Sequence, residues 1–144
     1  FAYRDAWSYY GLASGGIGFA VAGAIGIRLA VADRPIVAII GDGSAMYNIQ
    51  ALWTAAHLQL PIIYVIANNR GYRILKQRIR ERHGLEHPVG MDFSNPSIDF
   101  SVLATSMGVR GQRITAPDEI GPALAAALAH QGPSLLDVMV DPQE

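Results

Sequence analysis

The sequence predicts a doubly wound α/β domain, a mostly parallel sheet with helices on both faces. Three observations predict it. Branched apolar runs at residues 36–40 (IVAII) and 62–67 (IIYVIA) read as strands buried on both faces. Stretches of helical periodicity alternate with the strand runs along the chain. Each of these two runs also ends in a polar turn, Gly41-Asp42-Gly43-Ser44 after the first and Asn68-Asn69 after the second. A strand, a helix and a second strand bring two such turns to one edge of a parallel sheet.

Bulk properties set the frame. A chain of 144 residues suffices for one domain with a core, and an apolar fraction of 51% suits a large buried sheet. The net charge of −1 gives no global reason to expect nucleic acid or an anionic membrane as partner. With no cysteine, disulfides and thiol catalysis are excluded, and a cytoplasmic setting is expected. There is no signal-peptide n-region. The chain opens on Phe1, which leads us to expect a piece of a larger protein.

The elements follow in order. Residues 1–12 are aromatic without a clear period, and a short strand is expected near 9–13. Ser14-Gly15-Gly16-Ile17-Gly18 then opens a long apolar run. From Gly15 to Ala32 it spans 18 residues, the short limit for a membrane helix, but Arg28 interrupts it. A buried helix is preferred, with Gly23 and Gly26 allowing close approach to the sheet. Asp33-Arg34-Pro35 makes a turn, since Pro35 bars helix continuation. After the strand at 36–40, a helix fits 47–58, with Ile49, Leu52, Trp53 and Ala56 on one face. Pro61 precedes the strand at 62–67. A basic helix follows at 72–82, then a loop marked by Gly84, Pro88 and Gly90. Asp99 caps a helix over 99–107, and 109–113 is a short strand. Pro117-Asp118-Glu119 opens a helix to about residue 130, with acids where the helix dipole favours them. Gly132-Pro133 stops it, and 134–140 is the last strand.

The two polar turns carry the chemistry. Asp42 and Asn69 stand 27 positions apart (69 − 42). Their carboxylate and amide oxygens suit a hard divalent cation, and neighbouring backbone N–H groups suit phosphate. A hairpin turn would explain Gly41-Asp42-Gly43 alone, but a helical pattern follows where a hairpin needs a strand. A plain strand-end aspartate capping a helix is the ordinary alternative.

The combination resembles the thiamine diphosphate motif, in which GDG is followed about two dozen residues later by NN. GGIGFAVAGAIG, GDGS, ALWTAA and NNRGY extend the likeness over the chain from about Tyr9 to its end. They are similar to the cofactor-binding C-terminal domain of thiamine diphosphate-dependent 2-oxo acid decarboxylases and carboligases, most nearly benzoylformate decarboxylase and next acetolactate synthase. The resemblance implies thiamine diphosphate and Mg²⁺ as cofactors. Asp42 and Asn69 would hold the metal through their side chains and Gly71 through its carbonyl. Gly43 and Ser44 would donate to the diphosphate. Gly15 would offer its carbonyl to the aminopyrimidine, and Ile17 would sit beneath the bend of the cofactor unless it is simple core packing. Tyr72 would lie beside the cofactor, with Ile74 and Leu75 lining an apolar substrate pocket unless they belong to the core. Some pyruvate decarboxylases carry a glutamate where Leu75 falls, so that acid-assisted step is not expected here.

Arg70, Arg73, Lys76, Arg78, Arg80 and Arg82 hold six of the eleven basic residues. Without a broad basic face and stacking aromatics they read as a solvated helix face near the active-site mouth, able to attract a 2-oxo acid carboxylate. His83 and His87 lack a third ligand and a regular helix, so they read as loop residues. His57 and His130 read as surface or packing residues. No Ser–His–Asp arrangement is suggested, and neither glycine turn completes a dinucleotide fingerprint.

The resemblance also says what this chain lacks. The glutamate that activates the cofactor belongs, in the family, to an N-terminal pyrimidine-binding domain, usually of the neighbouring subunit. A homodimer or homotetramer is therefore expected, with this chain inactive alone. The whole enzyme is expected to decarboxylate a 2-oxo acid, releasing CO₂ and an aldehyde. An acetolactate synthase-like carboligase is one alternative, and a non-catalytic Mg²⁺–phosphate-binding regulatory domain is another.

Overall fold

The computed structural model describes residues 3–86 and 88–141. Four strands form one parallel sheet in the order β1-β2-β4-β3: β1 Ile36–Gly41, β2 Ile62–Asn68, β3 Arg110–Ile114 and β4 Ser134–Met139. The helices are α1 Phe19–Ala30, α2 Asp42–Ala45, α3 Ala51–His57, α4 Arg73–His83, α5 Phe100–Ser106 and α6 Ile120–Ala129, the last preceded by a 3-10 turn at Pro117–Glu119. The expected parallel α/β sheet with helices on both faces is present. The chain steps outward from β2 to β3 across α5 on one face. It steps back to β4 across α6 on the other, so the two crossovers share one hand.

Each face has its own core. Val21, Ala24 and Ile25 of α1, Leu52 and Ala55 of α3, and Phe100 and Ala104 of α5 pack on Ile62, Tyr64, Ile66 and Leu135. Ala123 and Ala127 of α6 pack on Ile63, Ile114 and Leu136. Alternation along β2 sends its even residues to the first core and its odd residues to the second. Fully burying a side chain such as Leu52, Phe100 or Ile66 is worth about 1.5–3 kcal/mol. On β1 the second face is left open, with Val37 and Ile39 exposed.

Several local expectations are corrected. The strand expected near 9–13 does not form, and that segment is irregular and exposed, with no ladder partner. Gly23 and Gly26 do not bring α1 onto the sheet. A Cβ at Gly23 would meet the ring of Phe19 on the same helix, and one at Gly26 would meet open space. The single helix expected over 47–58 is instead a run of turns at 47–50 followed by the shorter α3. Its buried side is Ile49, Leu52 and Ala55, while Trp53 is exposed and stacks on His57 at 4.9 Å. No residue of α4 is buried, as a solvated basic helix requires. Among the described residues no helix is long and apolar enough to cross a membrane. His87 lies outside the described residues.

Candidate functional site: the turns after β1 and β2

Strands β1 and β2 end level with each other, since Gly41 pairs with Ala67. The chain leaves both at the same edge. Asp42, the first residue beyond β1, is 2% exposed. Its two oxygens face different N–H groups. Gly43 N–H donates to Oδ1 at 2.8 Å, and Gly71 N–H donates to Oδ2 at 2.9 Å. Burial pushes the Asp42 carboxyl above the usual range, and the backbone N–H groups of Gly43, Gly71, Arg70 and Asn69 pull against that shift. An ionised carboxylate has about four acceptor positions, so two N–H bonds leave capacity for a cation.

The turn after β2 is built to reach Asp42. Arg70 takes a left-handed backbone (φ 63), uncommon for a residue with a side chain. Its N–H donates to Asn68 Oδ1 at 3.1 Å. A second segment braces the turn, where Tyr72 N–H donates to the Met91 carbonyl and Phe93 N–H to the Arg70 carbonyl. Gly71 is required here, because a Cβ would stand 2.4 Å from the Met91 carbonyl oxygen. Next to it, Asn69 Oδ1 is buried with no hydrogen-bond partner. A buried acceptor left open costs about 1–3 kcal/mol unless something else satisfies it.

The other predicted residues gather at the same edge. Gly18 N–H donates to Ser44 Oγ at 2.9 Å, and the Asn48 amide nitrogen donates to the Gly18 carbonyl. These bonds tie the Gly15–Gly18 turn to the turn after β1, while Ser44 still holds a hydroxyl proton to donate. Gly15 is exposed and left-handed (φ 66). Ile17 is half exposed, and Ile74 and Leu75, at the start of α4, are exposed as well, so none of the three belongs to the core. Tyr72 packs edge-on to Phe93 at 5.0 Å. Its ring fills the space a Cβ at Gly43 would need, 2.6 Å away. Burial pushes the Tyr72 hydroxyl up, with Tyr47 and Asp42 adding to the shift.

Sequence reasoning missed four contributors: Asn48, Asp92, Arg113 and Asp137. Asp92 forms the bridge to Gly71 and an ion pair with Lys76 at 2.6 Å. Among the described residues no cluster of three His, Cys, Asp or Glu side chains exists, so a cation here draws on amide and carbonyl oxygens beside Asp42. The donor set fits a hard cation: one carboxylate and one buried, unpartnered amide oxygen. A cleft of ≈ 210 Å³ opens at the opposite edge of the sheet beside Arg28, Pro35, Pro61 and His130, away from these turns.

Residues 3–138 match the family described as thiamine pyrophosphate enzyme, C-terminal TPP binding domain. A Mycobacterium tuberculosis protein named after the acetolactate synthase large subunit is 40% identical over 135 residues, 90% of this chain and 26% of that protein. Benzoylformate decarboxylase of Pseudomonas aeruginosa is 37% identical, over 94% of this chain and 25% of its own length. The solved thiamine diphosphate-dependent 4-hydroxybenzoylformate decarboxylase of Rhodococcus jostii RHA1 superposes with a TM-score of 0.86 at 40% identity, covering 93% of this chain and 25% of that one. The chain spans about a quarter of the length of the curated relatives it matches.

Proposed function

The chain belongs to the thiamine pyrophosphate enzymes as their C-terminal TPP-binding domain, and from that premise we propose that it anchors the Mg²⁺–diphosphate end of the cofactor in a 2-oxo acid decarboxylase of the benzoylformate type. The observation that carries the reading is the buried, unpartnered Asn69 Oδ1 in the turn that Gly71 N–H fastens to Asp42. Asp42, Asn69 and the Gly71 carbonyl would hold Mg²⁺. Gly43 N–H and the Ser44 hydroxyl would bind the diphosphate. Gly15 and Ile17 would meet the pyrimidine side and the bend, with Tyr72 beside them. Thiamine diphosphate, when bound, supplies the carbon nucleophile that 2-oxo acid chemistry needs.

The substrate-side residues are Ile74 and Leu75, both apolar and exposed at the same edge. They would exclude water on one side and suit an aryl group. The site is an open edge rather than an enclosed pocket, which supports completion by another domain. We assign that role to the N-terminal pyrimidine-binding domain of a neighbouring subunit, in a homodimer or homotetramer. We read the 144-residue chain as one cofactor-binding domain of a larger enzyme.

A second reading, an acetolactate synthase-like carboligase, is favoured by the 40% identity to the Mycobacterium tuberculosis protein so named. Supplying benzoylformate or pyruvate to the full-length protein and scoring aldehyde against acetohydroxy acid separates the two. Calorimetry of the same protein with thiamine diphosphate, with and without Mg²⁺, tests the premise of a working site. Absence of metal-dependent binding would return the domain to a regulatory phosphate-binding role.

A further inference from the structure

We propose that Arg113 and Asp137 are positioning residues for the metal turn, acting on it through Asn68; the proposal rests on the cofactor reading above. Asp137 has no exposure, in the middle of β4. Arg113 is its register partner on β3. Its guanidinium donates to Asp137 Oδ2 from Nη2 at 3.1 Å and from Nε at 3.3 Å. Asn68, at the end of β2, donates from Nδ2 to the other oxygen, Oδ1, at 2.8 Å. Asn68 Oδ1 in turn accepts the N–H of Arg70, the left-handed residue between Asn69 and Gly71. The line of contacts crosses three strands and ends on the backbone of the turn.

Chemistry gives the line a direction. An amide can face a neighbour with its oxygen or with its nitrogen, but an ionised carboxylate only accepts. Asp137 therefore draws the nitrogen of Asn68, and the oxygen is left to face Arg70. Arg113 sets its cation against the Asp137 carboxylate, and Asp99, 3.2 Å from Arg113 Nη1, fixes the guanidinium from the other side. Three apolar residues would fill the same space without desolvating charge. The polar line does what they cannot, since it holds the Arg70 N–H and so sets where Asn69 and Gly71 stand relative to Asp42.

The test uses the full-length protein that carries this chain. Asp137→Asn and Arg113→Met should each raise the Mg²⁺ dissociation constant at saturating thiamine diphosphate about ten- to a hundredfold, as loss of an outer-shell partner does elsewhere. Both should speed hydrogen–deuterium exchange in the peptide carrying Arg70 and Gly71. Arg113→Lys, which keeps a cation beside Asp137, should recover most of both. Ile114→Val, one residue along β3, should lower the unfolding midpoint while leaving affinity and local exchange alone. The proposal is overturned if Asp137→Asn and Arg113→Met keep wild-type affinity and exchange, or if Ile114→Val matches them at equal loss of stability. Should the wild type show no Mg²⁺-dependent binding, the cofactor reading fails, and exchange at Arg70 and Gly71 alone decides whether the pair holds the turn.

Discussion

Gly71 N–H donates to Asp42 Oδ2 at 2.9 Å, joining two turns that lie 29 residues apart in the chain. The bond spans the edge between β1 and β2. It makes the aspartate and the asparagine turn one unit, so a change in either turn is felt by both.

Asn69 should separate stability from binding. Its Oδ1 is buried without a partner, so nothing in the metal-free fold depends on that acceptor. Asn69→Ala is expected to change the free energy of unfolding by less than about 1 kcal/mol, because the lost bulk is offset by relief of an unsatisfied oxygen. The same substitution should weaken Mg²⁺-dependent thiamine diphosphate binding by more than about tenfold, or 1.4 kcal/mol. Urea titration and calorimetry on one preparation check both halves. A large loss of stability with binding intact would show that Asn69 serves the fold instead.

Gly71→Ala should behave in the opposite way and damage both properties. The added Cβ meets a backbone carbonyl at 2.4 Å, and a backbone atom cannot swing aside as a side chain can. Overpacking of this kind costs about 1–3 kcal/mol. The turn would have to shift away from Met91, carrying its N–H off Asp42. A lowered melting temperature together with lost metal dependence is the expected pair of results. An unchanged melting temperature would mean that the 70–72 turn and the 91–93 segment move apart freely.

How much of this was legible in the sequence depends on the range of the interaction. Asp42, Asn69 and the strands at 36–40 and 62–67 could be read because strand, helix and strand fix two turns at one edge. Asp99 as a helix cap was equally local, and its side chain accepts Val102 N–H at 3.0 Å. Arg113 and Asp137 could not be found this way, since their pairing with Asn68 depends on the register of β2, β4 and β3. Periodicity also left the phase of α3 open. Trp53 fits the apolar stripe as well as Ala55 does, yet Ala55 lies inward and Trp53 outward. Asn48 was missed for a similar reason, because its partner, the Gly18 carbonyl, is thirty residues away.

A pH effect is expected at the start of the chain. The Arg34 guanidinium holds the Asp5 carboxyl down to about 2, from an ordinary 3.8, with Oδ1 and Oδ2 accepting at 3.0 and 2.7 Å. The folded value lies below the unfolded one, so the attachment is complete above the unfolded value. It is lost as the pH falls from about 4 toward 2. Both groups are solvent-exposed, and salt should weaken the pair as well. Following the Asp5 carboxyl by NMR should show a midpoint near 2 that rises in Arg34→Gln. Titration of Asp5 at its ordinary value in the wild-type chain would refute the pairing.

The isolated chain should show negligible turnover of any 2-oxo acid. Among the described residues, the site's carboxylates are Asp42, which faces Gly43 and Gly71 and would hold the metal, Asp92, which is paired with Lys76, and Asp137, which is held by Asn68 and Arg113. On the proposed reading, with the diphosphate at the Asp42 turn, none of them would be left to protonate the far ring nitrogen of the cofactor. Ile17, Ile74 and Leu75 present apolar surface to an open edge, so water is not excluded as chemistry at a charged centre requires. On the proposed reading, the N-terminal pyrimidine-binding domain would supply both the acid and the wall. The measurement is CO₂ release from benzoylformate and from pyruvate, by the 144-residue chain and by the full-length protein, each with Mg²⁺ and thiamine diphosphate. Release by the chain at a rate comparable to the full-length protein would mean that the activating group is already present among these residues.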